Sequence, residues 1–367
     1  MRYKVPFVNY PLQYFSLKKE IDRAIFHTLK NGDLILREDV ETFEKSLAKF
    51  LGVKYAVGLN SGTDALIFSL MAAGIKEGDE VITVSHTFFA SIEAIHHCKA
   101  KPILIDVNDD FLMDENKLEK AINRKTKAIL PVHLNGFCCN MEKIMKIARK
   151  HKLLVIEDAA QALGAKYKGK KAGSFGITGC FSFYPVKCLG CFGDGGAIVT
   201  NSLKIAEKIK LLRDHGQKTK KNIVCYGFTS RLDNIQAAVL NVKIKYLPTY
   251  IKRRREIAGI YSNGLSNIKE IKAPLARKEY FDTYQNYVIR VEKRNKLFIF
   301  LKKKGVETLI KDPIPNHLQK GLNLNKFSLP KTEEFAKQII SLPMYPELKN
   351  SQIDYVIKCL KEFYGKK

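Results

Sequence analysis

Tryptophan is absent from the 367 residues, and acidic side chains are scarce: 37 Asp and Glu stand against 63 Lys and Arg, a formal net charge of +26. Long apolar runs are missing too. None approaches the ~18 residues that a membrane-crossing helix requires, so the chain is expected to be soluble and without a membrane partner. The opening MRYKVPFVNYPLQYF places prolines and polar residues where a signal peptide needs continuous apolar sequence, and a cytoplasmic location is the expectation. Disulfide spacing is lacking as well. Cys98, Cys138, Cys139, Cys180, Cys188, Cys191, Cys225 and Cys359 are scattered irregularly, which predicts reduced thiols.

The excess positive charge is compatible with nucleic acid, a membrane surface or a polyanionic small molecule and does not choose among them. Lysines are spread along the chain with only short clusters, such as Lys218, Lys220 and Lys221. That spread favours a solvated lysine-rich surface over a nucleic-acid patch. The hydrophobic fraction of 46% and the length suit one large α/β domain and a smaller partner.

From Lys54 to about Thr200 one rhythm repeats: a short β-branched run, a polar or glycine-rich turn, then a helical pattern. It signifies a mostly parallel sheet covered by helices. The strand candidates are 54–59, 80–84, 102–107, 128–133, 153–158, 179–184 and 196–200, seven strands of one twisted sheet. Two amphipathic helices precede them. One carries Ile21, Ala24, Ile25 and Leu29 and stops at Asn31-Gly32; the other runs from about Asp39 to Gly52. Helices are expected near 202–214, 231–246 and 247–265, the last leading into a second domain with a strand at 285–291, a helix near 295–304 and a terminal helix.

The strand LLVIED is apolar until it ends in Asp158, and open α/β sheets bind ligands at such strand ends. Alone, Asp158 could equally cap a helix or hold a metal. Farther on, Ser182-Phe183-Tyr184-Pro185-Val186-Lys187 leads to the glycine-rich Gly193-Asp194-Gly195-Gly196. A lysine just past a buried strand can be desolvated until its amine is partly neutral, the form that attacks an aldehyde. Pyridoxal 5′-phosphate (PLP) chemistry needs such a lysine, together with an acidic partner that keeps the pyridine nitrogen protonated. It also needs a phosphate site. The turn Asn60-Ser61-Gly62-Thr63-Asp64 before a helix offers backbone amides and hydroxyls, although Ser61 or Thr63 could serve only as a helix cap.

The segments NSGTDAL, HTFFAS, EDAAQALGA, SFYPVKCLGCFGDGGAIVT, RDHGQ, SRLDNIQAAVL and SLPMYPEL, in this order, resemble the DegT/DnrJ/EryC1/StrS aminotransferase family over about residues 5 to 350. The resemblance implies a fold-type I, aspartate aminotransferase-like α/β PLP enzyme. Its large, mostly parallel seven-stranded sheet domain would occupy 1–245 and a smaller C-terminal α/β domain 246–367. It further implies a homodimer with composite active sites, L-glutamate as amino donor and a nucleotide-linked keto-sugar as acceptor.

Carried over residue by residue, Lys187 is similar to the Schiff-base lysine and Asp158 to the partner of the pyridine nitrogen. Gln161 is similar to the residue near the ring hydroxyl, Gly62, Thr63 and Ser182 to phosphate contacts with Ser61 beside them, and Phe88 to the aromatic that stacks on the ring. Asn234 resembles the residue that reaches the phosphate of the neighbouring subunit. Tyr184, His215, Arg231, Lys311 and His317 are candidate substrate contacts, each with a packing or solvent-facing alternative; His133 is as ambiguous. The Cys188-Leu189-Gly190-Cys191 pair lacks a second CxxC and is set aside as a metal or redox site.

The chain departs from many relatives at Asn135, where they carry Tyr, and at Lys311-Asp312-Pro313, where they carry His-Tyr-Pro. Both departures are expected on the substrate side and leave the sugar open. The HGQ and SRLD stretches incline the reading toward a dTDP-linked 3-keto-6-deoxyhexose over a 4-keto sugar, for a surface glycan or polysaccharide. Two rivals remain: a sugar dehydratase of the same family, disfavoured because a histidine replaces the lysine there, and a non-catalytic regulatory or nucleic-acid-binding protein.

Overall fold

The fold is described from a computed structural model, for residues 3–365. All seven expected strands form and join one sheet: β1 (Tyr55–Leu59), β2 (Glu80–Val84), β3 (Lys101–Ile105), β4 (Thr126–Ile129), β5 (Leu154–Asp158), β6 (Thr178–Ser182) and β7 (Gly196–Thr200). Their order is β1-β7-β6-β5-β4-β2-β3. Pairing is parallel from β3 through β2, β4 and β5 to β6, whereas β7 is antiparallel to both β6 and β1. One reversed strand follows from the connection: residues 183–195 fold straight back from β6 to β7, without a crossover helix. Lys187 lies in that return loop. Strands β2 and β7 are buried along their whole length, as sheets covered on both faces require.

The principal helices are α1 (Tyr10–Ser16), α2 (Lys18–Asn31), α3 (Glu38–Leu51), α4 (Gly62–Ala72), α5 (Ala90–His97), α6 (Met141–Lys150), α7 (Leu203–Arg213), α8 (Asn234–Lys243), α9 (Leu247–Leu265), α10 (Arg294–Lys303), α11 (Pro330–Gln338) and α12 (Asn350–Phe363). Helices α2 and α3 stop at Gly32 and Gly52, whose φ values of 71° and 75° are left-handed, a conformation that glycine adopts without a Cβ penalty. Of the face expected on α2, Ile21 is buried, but Leu29 remains 54% exposed.

A hairpin, β8 (Gln217–Thr219) and β9 (Asn222–Ile223), follows α7. Past α9, a three-stranded antiparallel sheet pairs β10 (Ile271–Lys272), β11 (Tyr287–Val291) and β12 (Ile339–Leu342), in the order β10-β11-β12. Strand β12 was not among the expected strands. One contiguous apolar core runs from β1 and β2 through Ile257 and Tyr261 of α9 to Ile289 and Ile340. Val5 bridges to Val306, so the N-terminal segment is anchored on the C-terminal part of the chain.

The end of β1 is fixed by a buried ion pair. Arg213 Nη1 meets Glu44 Oε1 at 2.5 Å and donates to the Gly58 carbonyl at 3.0 Å, while the Gly58 N–H donates to the same Glu44 oxygen at 2.8 Å. Helices α3 and α7 thereby hold β1 where its last residues feed the turn into α4. Among the described residues no helix is long and apolar enough to cross a membrane, and no group of three His, Cys, Asp or Glu is placed to hold a metal ion.

Candidate active site

Asp158 ends β5, and Lys187 lies in the loop that follows the adjoining strand β6, close enough for the Asp158 charge to act on its amine. Asp158 is buried; its Oδ1 accepts from the Ala160 N–H at 3.1 Å and its Oδ2 from the Ser91 hydroxyl at 2.7 Å. Ser91 in turn pairs with Thr87 Oγ1 at 2.8 Å. A carboxylate fixed on both oxygens keeps one orientation, which a partner for a ring nitrogen must do. Lys187 is partly buried, and burial pushes its amine below the ordinary lysine range; the Asp158 carboxylate is close enough to oppose that shift.

The turn 60–64 leads directly into α4, and Ser61 caps that helix. Its Oγ accepts from the Asp64 N–H at 3.0 Å, which leaves the N–H groups of Gly62 and Thr63 at the open start of α4. Gly62 packs against the end of β6: a Cβ there would stand 2.8 Å from the Ser182 Cβ. Ser182 Oγ accepts from the Tyr184 N–H at 3.3 Å. Ser230 donates to Asp64 at 2.7 Å and joins the segment before α8 to this turn. Two open amides, two hydroxyl residues and a glycine-only approach fit a phosphate group.

Gln161 Oε1 accepts from the Asn135 N–H at 3.0 Å and from the Asn286 side chain at 3.3 Å. Phe88 is 65% exposed on the turn between β2 and α5, and Tyr184 is 52% exposed beside the lysine loop. Lys311 belongs with this group. Its amine is pushed down to about 8 by burial and by the charge of Lys187, with Asp312 opposing.

Three expectations change. Asn234 was expected to reach a neighbouring subunit's phosphate, but its side chain is fully buried in its own chain. Its Oδ1 accepts from the Val40 N–H at 3.2 Å and its Nδ2 donates to Asp39 at 3.0 Å, pinning the start of α3. His317, expected as a substrate contact, is fully buried with both ring nitrogens engaged, by Ser85 at 2.8 Å and Glu333 at 3.2 Å. Asn135, expected on the substrate side, is buried with φ 59°, and its Oδ1 accepts from Asn286 at 3.1 Å. His133 sits in the core between the Cys139 N–H and Glu157, at 3.1 and 2.9 Å.

His215 and Arg231 fall together near the hairpin: His215 meets Thr229 at 2.9 Å and Arg231 pairs with Asp214 at 2.9 Å. Cys188 and Cys191 are buried free thiols, and Cys191 donates to the Phe183 and Gly193 carbonyls at 3.0 and 3.1 Å, its thiol pushed up to about 11 by burial. Buried, protonated thiols are inert toward redox chemistry. Sequence reading missed Ser91 and Gln285. Ser91 was within reach, three residues past Phe88 in HTFFAS; Gln285 had no local signal.

Known proteins similar to this chain fall in one family. Residues 16–361 match the model of the DegT/DnrJ/EryC1/StrS aminotransferase family. A pleiotropic regulatory protein of Geobacillus stearothermophilus is 41% identical over 366 residues, covering 98% of each chain. The dTDP-3-amino-3,4,6-trideoxy-alpha-D-glucose transaminase of Streptomyces venezuelae is 39% identical, covering 98% of this chain and 96% of that one. The crystal structure of S. venezuelae DesV in complex with a ketimine intermediate superposes with a TM-score of 0.97, at 38% identity and full coverage of both chains.

Proposed function

The chain belongs to the DegT/DnrJ/EryC1/StrS aminotransferase family, and from that premise we propose that it is a PLP-dependent sugar aminotransferase moving an amino group from L-glutamate to a nucleotide-linked keto-sugar. The observation that carries the reading is a lysine with a depressed amine, Lys187, in the loop after β6, within electrostatic reach of Asp158 at the end of the adjoining β5, beside a helix that opens with Gly62. PLP supplies the electron sink that stabilises negative charge on the substrate carbon. Lys187 would hold it and later carry the proton between substrate and cofactor carbons, for which a depressed amine is suited. Asp158, held by Ser91 and Ala160, would keep the ring nitrogen protonated. The Gly62 and Thr63 amides, with Ser61 and Ser182 beside them, would receive the phosphate, Gln161 the ring hydroxyl, and Phe88 would stack on the ring.

Within that class we favour a dTDP-linked 3-keto-6-deoxyhexose, because the Streptomyces venezuelae relative is named for a dTDP-3-amino sugar. Lys311 and the lysine-rich surface would attract a diphosphate. A homodimer accounts for the exposed apolar side chains of the hairpin region, Ile223, Val224, Tyr226 and Phe228. The test is glutamate-dependent amination of a panel of dTDP- and UDP-linked 3-keto and 4-keto sugars, with products identified by mass and NMR. Conversion of the 3-keto dTDP sugar supports the reading. Turnover of none of the panel by PLP-loaded protein refutes it. A regulatory reading is motivated by the name of the Geobacillus relative and would show as DNA retardation without turnover.

A further inference from the structure

Gln285 grips the peptide groups on both sides of Lys187. Its Nε2 donates to the Val186 carbonyl at 2.8 Å, and its Oε1 accepts from the Cys188 N–H at 2.7 Å. The two partners differ in kind, one acceptor and one donor, so the amide can make both bonds in only one orientation. The side chain is buried, 4% exposed, where such bonds do not compete with water.

The clamp is itself anchored. Arg254 Nη1 donates to the backbone carbonyls of Tyr284, Gln285 and Met344 at 3.2, 3.3 and 3.0 Å. The next residue, Asn286, donates to Gln161 Oε1 and Asn135 Oδ1. Strand β11 begins directly afterwards, at Tyr287. Two consecutive side chains on the segment that leads into β11 therefore fasten the loop that follows β6 and the turns that follow β4 and β5. Farther along, the lysine loop is also held by Lys243, fully buried, which donates to the Gly190 carbonyl and to Gln13.

We propose that Gln285 is a positioning residue for Lys187, fixing the backbone at the root of a side chain that is otherwise flexible. A lysine stem has four rotatable carbons, so its amine is aimed only as well as its Cα is held. The inference rests on the reading of Lys187 as the residue that carries PLP.

The experiment uses the full chain as Gln285→Leu and Gln285→Glu. In cofactor-free protein, the Cys188 amide of Gln285→Leu should exchange hydrogen at least about tenfold faster than in the parent. The rate at which added PLP becomes linked to Lys187, read by absorbance, should fall by about the same factor. Gln285→Glu keeps an acceptor for the Cys188 N–H and loses the donor to Val186. It should retain Cys188 protection, and linkage should slow less than in Gln285→Leu. A folded Gln285→Leu protein with parental exchange and parental linkage would overturn the proposal. Should that variant fail to fold, parental linkage in Gln285→Glu would overturn it. Absence of any lysine-linked PLP in the parent would instead refute the functional reading, while the exchange result would still report on the clamp.

Discussion

Replacing Gly62 by alanine tests the phosphate turn with a single methyl group. The new Cβ would stand 2.8 Å from Ser182 Cβ and 3.3 Å from Ser182 Cα. Non-bonded carbons settle at about 3.5–4.0 Å, so the approach is too close by roughly 0.7 Å or more. Ser182 cannot rotate away, because it is the last residue of β6 and its own Cα is within the contact. Two effects compete. Alanine in place of glycine favours a helix interior by up to about 1 kcal/mol, less at the first position. Forcing a methyl into a filled space costs about 1–3 kcal/mol. The strain should win, and it is relieved most readily by swinging the first turn of α4 outward, which carries the Gly62 and Thr63 amides off the phosphate. A net loss of about 1–2 kcal/mol corresponds to roughly 5–30-fold weaker PLP binding. Titrating cofactor-free protein with PLP measures it, with circular dichroism to confirm the fold. Parental affinity in a folded Gly62→Ala protein would refute the assignment of this turn.

Three further outcomes follow from the same contacts. Arg213→Met strands the buried Glu44 carboxylate beside Gly58 and should cost about 3–5 kcal/mol, read as a lower urea midpoint; an unchanged midpoint would contradict the buried pairing. Ser91→Ala removes a hydrogen bond to the Asp158 carboxylate, worth about 1.5–3 kcal/mol, and should lower both thermal stability and PLP affinity. An unaltered affinity would show that Asp158 does not depend on it. Lys311, pushed down to about 8, loses one source of that depression in cofactor-free Lys187→Ala protein, so its titration should move toward the ordinary value of 10.5. Competitive amine labelling against pH reads the midpoint; no upward movement would mean the two amines are not coupled.

The sheet was legible because its strands are short apolar runs bounded by turns; Asp158 stood out because it ends such a run, and Lys187 because it lies between such a run and a glycine-rich turn. What escaped the sequence was what tertiary contact supplies. Ser91 and Asp158 are 67 positions apart, and Gln285 lies 97 and 99 positions from its two partners, distances across which local pattern carries no information. The same cause misplaced Asn234 and His317. Each is a polar residue in a suggestive motif, yet Asn234 is consumed by capping contacts to α3, and His317 by Ser85 and Glu333 inside the core. Of the two departures expected on the substrate side, only Lys311 has its amine coupled to Lys187. Asn135 instead adopts a left-handed backbone and is bonded to Asn286. The reversed direction of β7 was equally hidden, since an apolar GAIVT reads alike in either direction.

In the proposed function Lys187 is the residue on which PLP is carried. Hydride reduction of the PLP-loaded protein, followed by proteolysis and mass analysis, fixes the adduct to one peptide. A phosphopyridoxyl group is expected on Lys187, and its loss in Lys187→Ala together with glutamate-dependent amine transfer. A reduced adduct on another lysine, with transfer intact in Lys187→Ala, would contradict it.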